Sequence, residues 1–227
     1  MIASNLLTLE VIEYRLRFAR ELSPGEATHL RGYFGHEFSD EVLLHHHERD
    51  GRLRYDYPRV QFKVLERMAH LVGLADGCDL VQQLWNRVDT ARLGEEELPV
   101  LESQLLRRRE SLGESEKPTQ YRFLTPWLGL NQDNFRQYQG LTEPSERQQM
   151  LERVLVGNCL SLAKAFDHRV GARLQADAHM LRPWPLRFKG LAMLAFVGSF
   201  RINFELPTHI GLGKSVSRGF GTIERVD

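Results

Sequence analysis

GLGKSVSRGFG, residues Gly211 to Gly221, places four glycines and two cations within eleven positions. Apolar residues flank the stretch on both sides. Glycine is used where the backbone must take a positive φ or lie very close to another group. A run of backbone N–H groups with Lys214 and Arg218 beside it suits a polyanion. Gly213-Lys214-Ser215 copies the end of a nucleotide-binding P-loop, but that motif needs a glycine where this chain has Thr208, and a helix rather than a strand-like stretch afterwards. The nucleotide reading is excluded.

Working outward, the chain has 227 residues, 42% hydrophobic and 26% charged. That is enough for one large domain or two smaller ones with a proper core. No signal peptide and no apolar run approaching the ~20 residues of a membrane span is evident, so no membrane partner is expected. Cys78 and Cys159 lie far apart and form no CxxC pair, which points away from a disulfide framework or zinc site and toward a reducing cytoplasm. Net charge is zero, yet from Lys164 onward ten Lys/Arg face five Asp/Glu. A basic C-terminal part on a neutral chain fits an anionic partner.

Along the chain, residues 9–20 alternate apolar and charged side chains and read as a half-buried strand. Ser23-Pro24-Gly25-Glu26 carries a capping box with proline at the first helical position, which starts a helix running to about Phe38. A histidine-rich segment from Leu43 to Tyr57 contains an Asp50-Gly51 hairpin signal. Val60 to Phe62 and His70 to Leu74 read as strands. Asp76 to Val88 is an amphipathic helix with Leu80, Val81, Leu84, Trp85 and Val88 on one side. Leu98 to Leu106 is a further strand. The order β-α-β-β-α-β is the ferredoxin-like plan. Leu112 to Pro118 is polar and reads as a boundary or surface turn, which separates residues 1–112 from residues 119–227. In the second part Tyr121 to Leu130 opens as a strand, Glu143 to Phe166 is the one long helix, and residues 173–182, 186–189, 192–206 and 220–226 are strand-like. The expected class is α+β, with two tandem ferredoxin-like (RRM-like) domains, the second degraded and holding the glycine-rich loop.

This combination resembles the repeat-associated RNA-binding superfamily of CRISPR systems, and more narrowly the Cas6b-like branch of the Cas6 endoribonucleases. The stretches that carry the resemblance are LRGYFGHEF, LLHHH, LRYDYPRVQFK, YRFLTPWLGLNQ, RFKG and GLGKSVSRGFGTI. It implies cleavage of precursor CRISPR repeat RNA without a metal or other cofactor, leaving a 5′-hydroxyl and a cyclic or 3′-phosphate end. It also implies a His-x-His pair followed by tyrosine, which falls on His45, His47 and Tyr55, with Tyr33 an alternative for the tyrosine. CRISPR repeat RNA is then the expected partner, other interference-complex subunits are further candidates, and the chain is a monomer or homodimer.

Cutting RNA with its own 2′-hydroxyl needs a base, an acid and donors for the charged phosphorane. Histidine titrates near ~6.5 and serves either proton-transfer role. In an extended stretch His45 and His47 share a face. Tyr55 can orient the reacting groups, and Arg54 or Arg52 can stabilise developing charge. The same histidines also read as a solvated turn or as part of a metal site, though two same-face histidines fall short of a zinc ligand set. The expected RNA contacts are Gly211, Gly213, Lys214, Ser215, Ser217, Arg218 and Gly219, with Arg187 and Lys189 as flanking phosphate binders. His70, His168, His179 and His209 read as structural or surface residues, Arg107 to Arg109 as a solvated strand end, and Trp85 and Trp184 as core or platform residues rather than base-stacking ones. A non-catalytic RNA-binding subunit and a metal-dependent hydrolase are the competing readings.

Overall fold

The alternation in the first strand is realised as β1 (Leu6–Phe18), whose Ile12, Tyr14, Leu16 and Phe18 all enter one hydrophobic core. The structure is a computed structural model and describes residues 6–38, 57–188 and 190–226. The chain divides into two compact units. The first holds residues 9–110 together with Val216–Gly219, and the second holds Ser111–Ser215 with the C-terminal residues.

In the first unit Ser23 opens a 3-10 turn, Pro24–Glu26, that runs into α1 (Ala27–Glu37). The backbone N–H of Ser23 donates to Glu26 Oε2 at 2.7 Å, so the expected capping box forms. β2 (Val60–Leu65), β3 (Met68–Leu74), α2 (Gly77–Leu84) and β4 (Thr90–Leu93) follow, then β5, which runs from Glu96 to Trp127. Within this unit the strand order is β2-β3-β1-β5, with β4 forming a hairpin on β5. That is the ferredoxin-like order, β5 serving as the fourth strand. α2 is shorter than its sequence pattern, because Trp85 turns extended and Asn86 takes a positive φ of 59°. Trp85 is therefore exposed instead of lining the helix face.

The face of this sheet opposite the hydrophobic core is buried as well, which a period-two pattern with charged residues did not foretell. Glu13, Gln61, Lys63 and His70 all have 2% exposure or less. Glu13 accepts from His70 Nδ1 at 2.7 Å, Arg15 Nε at 2.8 Å and Arg108 Nη1 at 2.7 Å. Arg107 pairs with Glu10 at 2.7 Å, so the arginine run lies inside β5 and not at a strand end, with Arg107 and Arg109 exposed as expected. Lys63 Nζ donates to Gln61 Oε1 at 2.9 Å. Burial pushes its ammonium down to about 7, and the Glu13 charge opposes that shift. Between pH ~7 and ~10.5 the unfolded chain binds a proton on Lys63 that the folded chain does not, so this residue makes stability rise with pH across that window. Lys63→Met is expected to remove up to about 1.4 kcal/mol per pH unit from the slope. Urea denaturation of both chains between pH 7 and 10 measures the difference, and equal slopes would refute it.

In the second unit the later part of β5 pairs with β8 (Leu191–Glu205) on one side and β9 (Ile223–Arg225) on the other. β8 pairs in turn with β6 (Ala176–Asp177) and β7 (Leu181–Phe188). The order is the ferredoxin-like one again, but the segment between β8 and β9 holds the glycine loop where a second helix would lie. The degraded second repeat is thus a repeat that exchanged a helix for a loop. Tyr121, Phe123, Trp127, Phe196 and Phe200 form an aromatic core, with neighbouring ring centroids 5.0 to 5.8 Å apart.

Three expectations are corrected here. Leu112 to Pro118 is no turn: it lies inside β5, where a register shift between Glu114 and Thr119 absorbs its polar residues. Glu114 in that stretch is buried and accepts from His168 Nε2 at 2.9 Å and from the backbone N–H groups of Gly171 and Ala172. Second, α4 (Pro144–Ala165) is joined by α3 (Gln132–Gly140), whose Asn131 cap accepts from Asn134 N at 2.6 Å. Third, residues 173–182 are mostly irregular, with β6 only two residues long. Among the described residues no helix is long and apolar enough to cross a membrane.

Candidate functional site

The glycine loop divides between the two units, and each part is shaped by packing within its own unit. In the second unit Gly213 (φ +84°) has no room for a side chain, since a Cβ would lie 2.7 Å from Trp127 Nε1 and 2.8 Å from the Leu128 carbonyl oxygen. Gly221 (φ +64°) is equally confined, its Cβ position falling on the Leu212 carbonyl. Backbone hydrogen bonds fix the same residues: Lys214 N–H donates to Leu128 O at 3.0 Å, Gly221 N–H to Pro126 O at 2.9 Å and Leu212 N–H to Gly221 O at 2.9 Å. Gly211 is buried and bridges to Thr222. Ser215 holds a positive φ of 57° without being glycine, a conformation kept where surrounding structure enforces it.

In the first unit the 3-10 turn Val216–Arg218 packs on β2 and α1. Val216 and Ser217 are buried. Gly219 (φ +87°) permits this closeness, for a Cβ there would sit 2.8 Å from Ala27 Cβ and 3.3 Å from the Phe62 carbonyl oxygen. Its N–H donates to Val216 O at 3.2 Å.

These contacts revise the idea of a backbone cradle. The glycines serve close approach of one strand or helix to another, and the N–H groups of Leu212, Lys214, Gly219 and Gly221 are spent on carbonyls. What the loop offers outward is side-chain charge: Lys214 is exposed and Arg218 half-buried. Ser217 is turned into the packing, so its hydroxyl offers little surface to a ligand. Ser215 is half-buried, and Arg187 is exposed on β7. Lys189 lies outside the described residues, as do His45, His47, Arg52, Arg54 and Tyr55.

One residue that the sequence did not single out stands beside Arg218. Arg31, on α1, is held below the ordinary arginine range, first by burial and then by the charge of Arg218. Its Nε is buried with no hydrogen-bond partner among the described residues. An anion placed between the two guanidinium groups would relieve the charge that Arg218 imposes on Arg31. The periodicity of ATHLRGYFGHE gave no hint of this, because it does not tell which turn of the helix meets a loop nearly two hundred residues later. On the same helix Tyr33 donates its hydroxyl to Thr90 O at 2.9 Å, so that group is engaged in packing α1 against β4.

Comparison with known proteins covers the whole of this arrangement. Residues 7–111 match the Cas6b N-terminal domain and residues 113–226 the Cas6b C-terminal domain. A solved structure described as Cas6b superposes with a TM-score of 0.89 at 30% identity, over 97% of this chain and all of the other. A second, described as the CRISPR RNA processing endoribonuclease Cas6b, gives 0.76 at 29% identity over the same shares. An uncharacterized protein of Methanocaldococcus jannaschii is 36% identical over 118 residues, which is 52% of this chain and 80% of that protein. A more distant protein, described as an RAMP protein binding different RNA substrates, shares the fold with a TM-score of 0.58 at 12% identity.

Proposed function

The chain belongs to the Cas6b family, and from that premise we propose that it cuts precursor CRISPR repeat RNA by a metal-independent attack of the substrate's own 2′-hydroxyl. One of His45 and His47 removes the proton from the 2′-hydroxyl, whose oxygen then attacks the adjacent phosphorus. The other histidine protonates the departing 5′-oxygen. The products are a 5′-hydroxyl and a 2′,3′-cyclic phosphate, which opens to a 3′-phosphate. Tyr55 orients the reacting groups and Arg54 stabilises the phosphorane.

The observation that carries the RNA reading is the placement of Arg31 and Arg218 close together on one unit, the Arg31 Nε lacking a hydrogen-bond partner among the described residues. A protein spends two such cations when a phosphate chain is to lie there, because each phosphate contact releases bound counterions. Lys214, in the other unit, is a further exposed cation. Phosphate contacts of this sort position a strand and leave sequence selection to stem shape or splayed bases.

Incubation with CRISPR repeat RNA in excess EDTA tests the proposal. Cutting that persists in the chelator, and that a 2′-deoxy substitution just upstream of the cleaved phosphate blocks, is the expected result. Tight binding without cutting would replace it with a non-catalytic RNA-binding subunit, and cutting abolished by EDTA would point to a metal-dependent hydrolase.

A further inference from the structure

We propose that one face of the β7–β8 hairpin is a stacking platform for the bases of single-stranded RNA, centred on Trp184. The inference rests on the RNA-cleaving reading above and adds a contact that reads bases where the loop cations read phosphates.

β7 pairs with β8 from Leu181↔Gly198 to Phe188↔Leu191. Side chains of a strand alternate between faces, so Arg182, Trp184, Leu186 and Phe188 share one face. Their cross-strand partners Met193 and Leu191 lie on it too. On the opposite face Pro183, Pro185 and Leu194 line a groove with Phe135 and Tyr138 of α3, and Tyr138 meets Phe196 edge-on at 5.4 Å. On the Trp184 face the direct partner Ala195 is buried, while the indole itself and Leu191 stay open. Trp184 is 53% exposed and Leu191 68%, which is a large apolar surface for one hairpin.

Three features favour RNA bases over a second protein. First, the face is continuous with the glycine loop, since the Phe188 ring meets Phe220 edge-on with centroids 4.9 Å apart. Second, it carries a cation. Arg182, two residues from Trp184, is held along the strand by donating Nη1 to His179 O and Leu181 O at 2.9 and 3.0 Å. A flat aromatic ring beside a guanidinium group suits a nucleobase and its phosphate. Third, Pro183 and Pro185 remove amide donors from β7, which discourages strand-to-strand pairing with another copy. They also stiffen the backbone under the ring, so less freedom is lost when a base settles on it.

The test is equilibrium binding of CRISPR repeat RNA and of an oligoadenylate of roughly 12 nucleotides to the full chain and three variants. Trp184→Ala is expected to weaken binding roughly 5- to 150-fold, the range for loss of one stacked base, with the slope of affinity against salt unchanged. Trp184→Phe should recover most of the loss. Lys214→Ala supplies the contrast, with a smaller salt slope. In a Trp85→Phe background, RNA should quench the remaining exposed indole. Trp184 lies on the surface, so the thermal midpoint of Trp184→Ala should match that of the unaltered chain. RNA affinity of Trp184→Ala within twofold of the unaltered chain overturns the inference. So does a dimer in the unaltered chain that Trp184→Ala dissociates at unchanged RNA affinity, since the platform then belongs to a second copy. Failure of the unaltered chain to bind RNA at all overturns the enzyme reading itself, and the platform falls with it.

Discussion

His47→Ala is expected to lower the single-turnover rate of repeat-RNA cleavage about 10²- to 10⁴-fold, the contribution of one positioned acid or base, while RNA affinity stays within about threefold by the same argument that separates chemistry from binding. The expectation follows from division of labour. The cations proposed to hold RNA, Arg31, Lys214 and Arg218, belong to α1 and the glycine loop, whereas His47 belongs to the segment after α1. Removing an acid or base leaves the counterion release of phosphate binding intact. The accompanying signature is the pH profile. A bell produced by one histidine acting as base and the other as acid should lose one limb in His47→Ala and the other in His45→Ala. Single-turnover rates across pH 5 to 9 measure both limbs. A His47→Ala rate within threefold of the unaltered chain would remove His47 from the chemistry and move the search to Tyr33 and Tyr55.

How far the sequence foretold this molecule depended on whether local signals agreed with tertiary ones. The capping box at Ser23, the alternation of β1 and the apolar face of α4 are local and were realised within a few residues. As a turn, Leu112 to Pro118 failed because its polarity has a tertiary cause: Glu114 is drawn inward by His168 and by two backbone N–H groups more than fifty residues away, although the division between the two units falls beside it, between Glu110 and Ser111. α3 was overlooked because QDNFRQYQG buries little beyond Tyr138, which leaves no apolar stripe to detect, although Asn131 followed by Asp133 was a readable start. The glycine loop was legible as a motif but not as a mechanism. Its glycines answer to Trp127, Leu212 and Ala27, and those contacts exist only once the fold brings the strands together. Arg31 was invisible for a related reason, since nothing in a helix period tells which residue stands beside a loop from far along the chain, and the same lack of a tertiary signal let Trp184 read as a core or platform residue where the structure leaves it exposed. The expected catalytic residues lie outside the described residues, so their roles rest on the resemblance and on chemical fitness.

Glu13→Ala is expected to destabilise the chain by about 3 to 5 kcal/mol, the cost of breaking a buried ion pair by removing one partner. Glu13 is wholly buried, and its two oxygens accept from the His70 ring and from the guanidinium groups of Arg15 and Arg108. The two arginines keep about a quarter of their side-chain surface in water and can recover some hydration, but His70 is 2% exposed and cannot. Lys63 makes the loss worse. The Glu13 carboxylate is the charge that opposes desolvation of its ammonium, so without Glu13 the lysine is pushed further toward its neutral form. Glu13→Gln separates these effects. It keeps the volume and one acceptor, but turns an amide donor toward groups that are themselves donors, so it should recover only part of the loss. At roughly 2 to 4 °C per kcal/mol for a chain of this length, Glu13→Ala should melt about 6 to 20 °C lower, measured by calorimetry at pH 7. A shift under about 2 °C would mean that water replaces the carboxylate at little cost, and that the polar face of the first sheet is held by its backbone ladder rather than by Glu13.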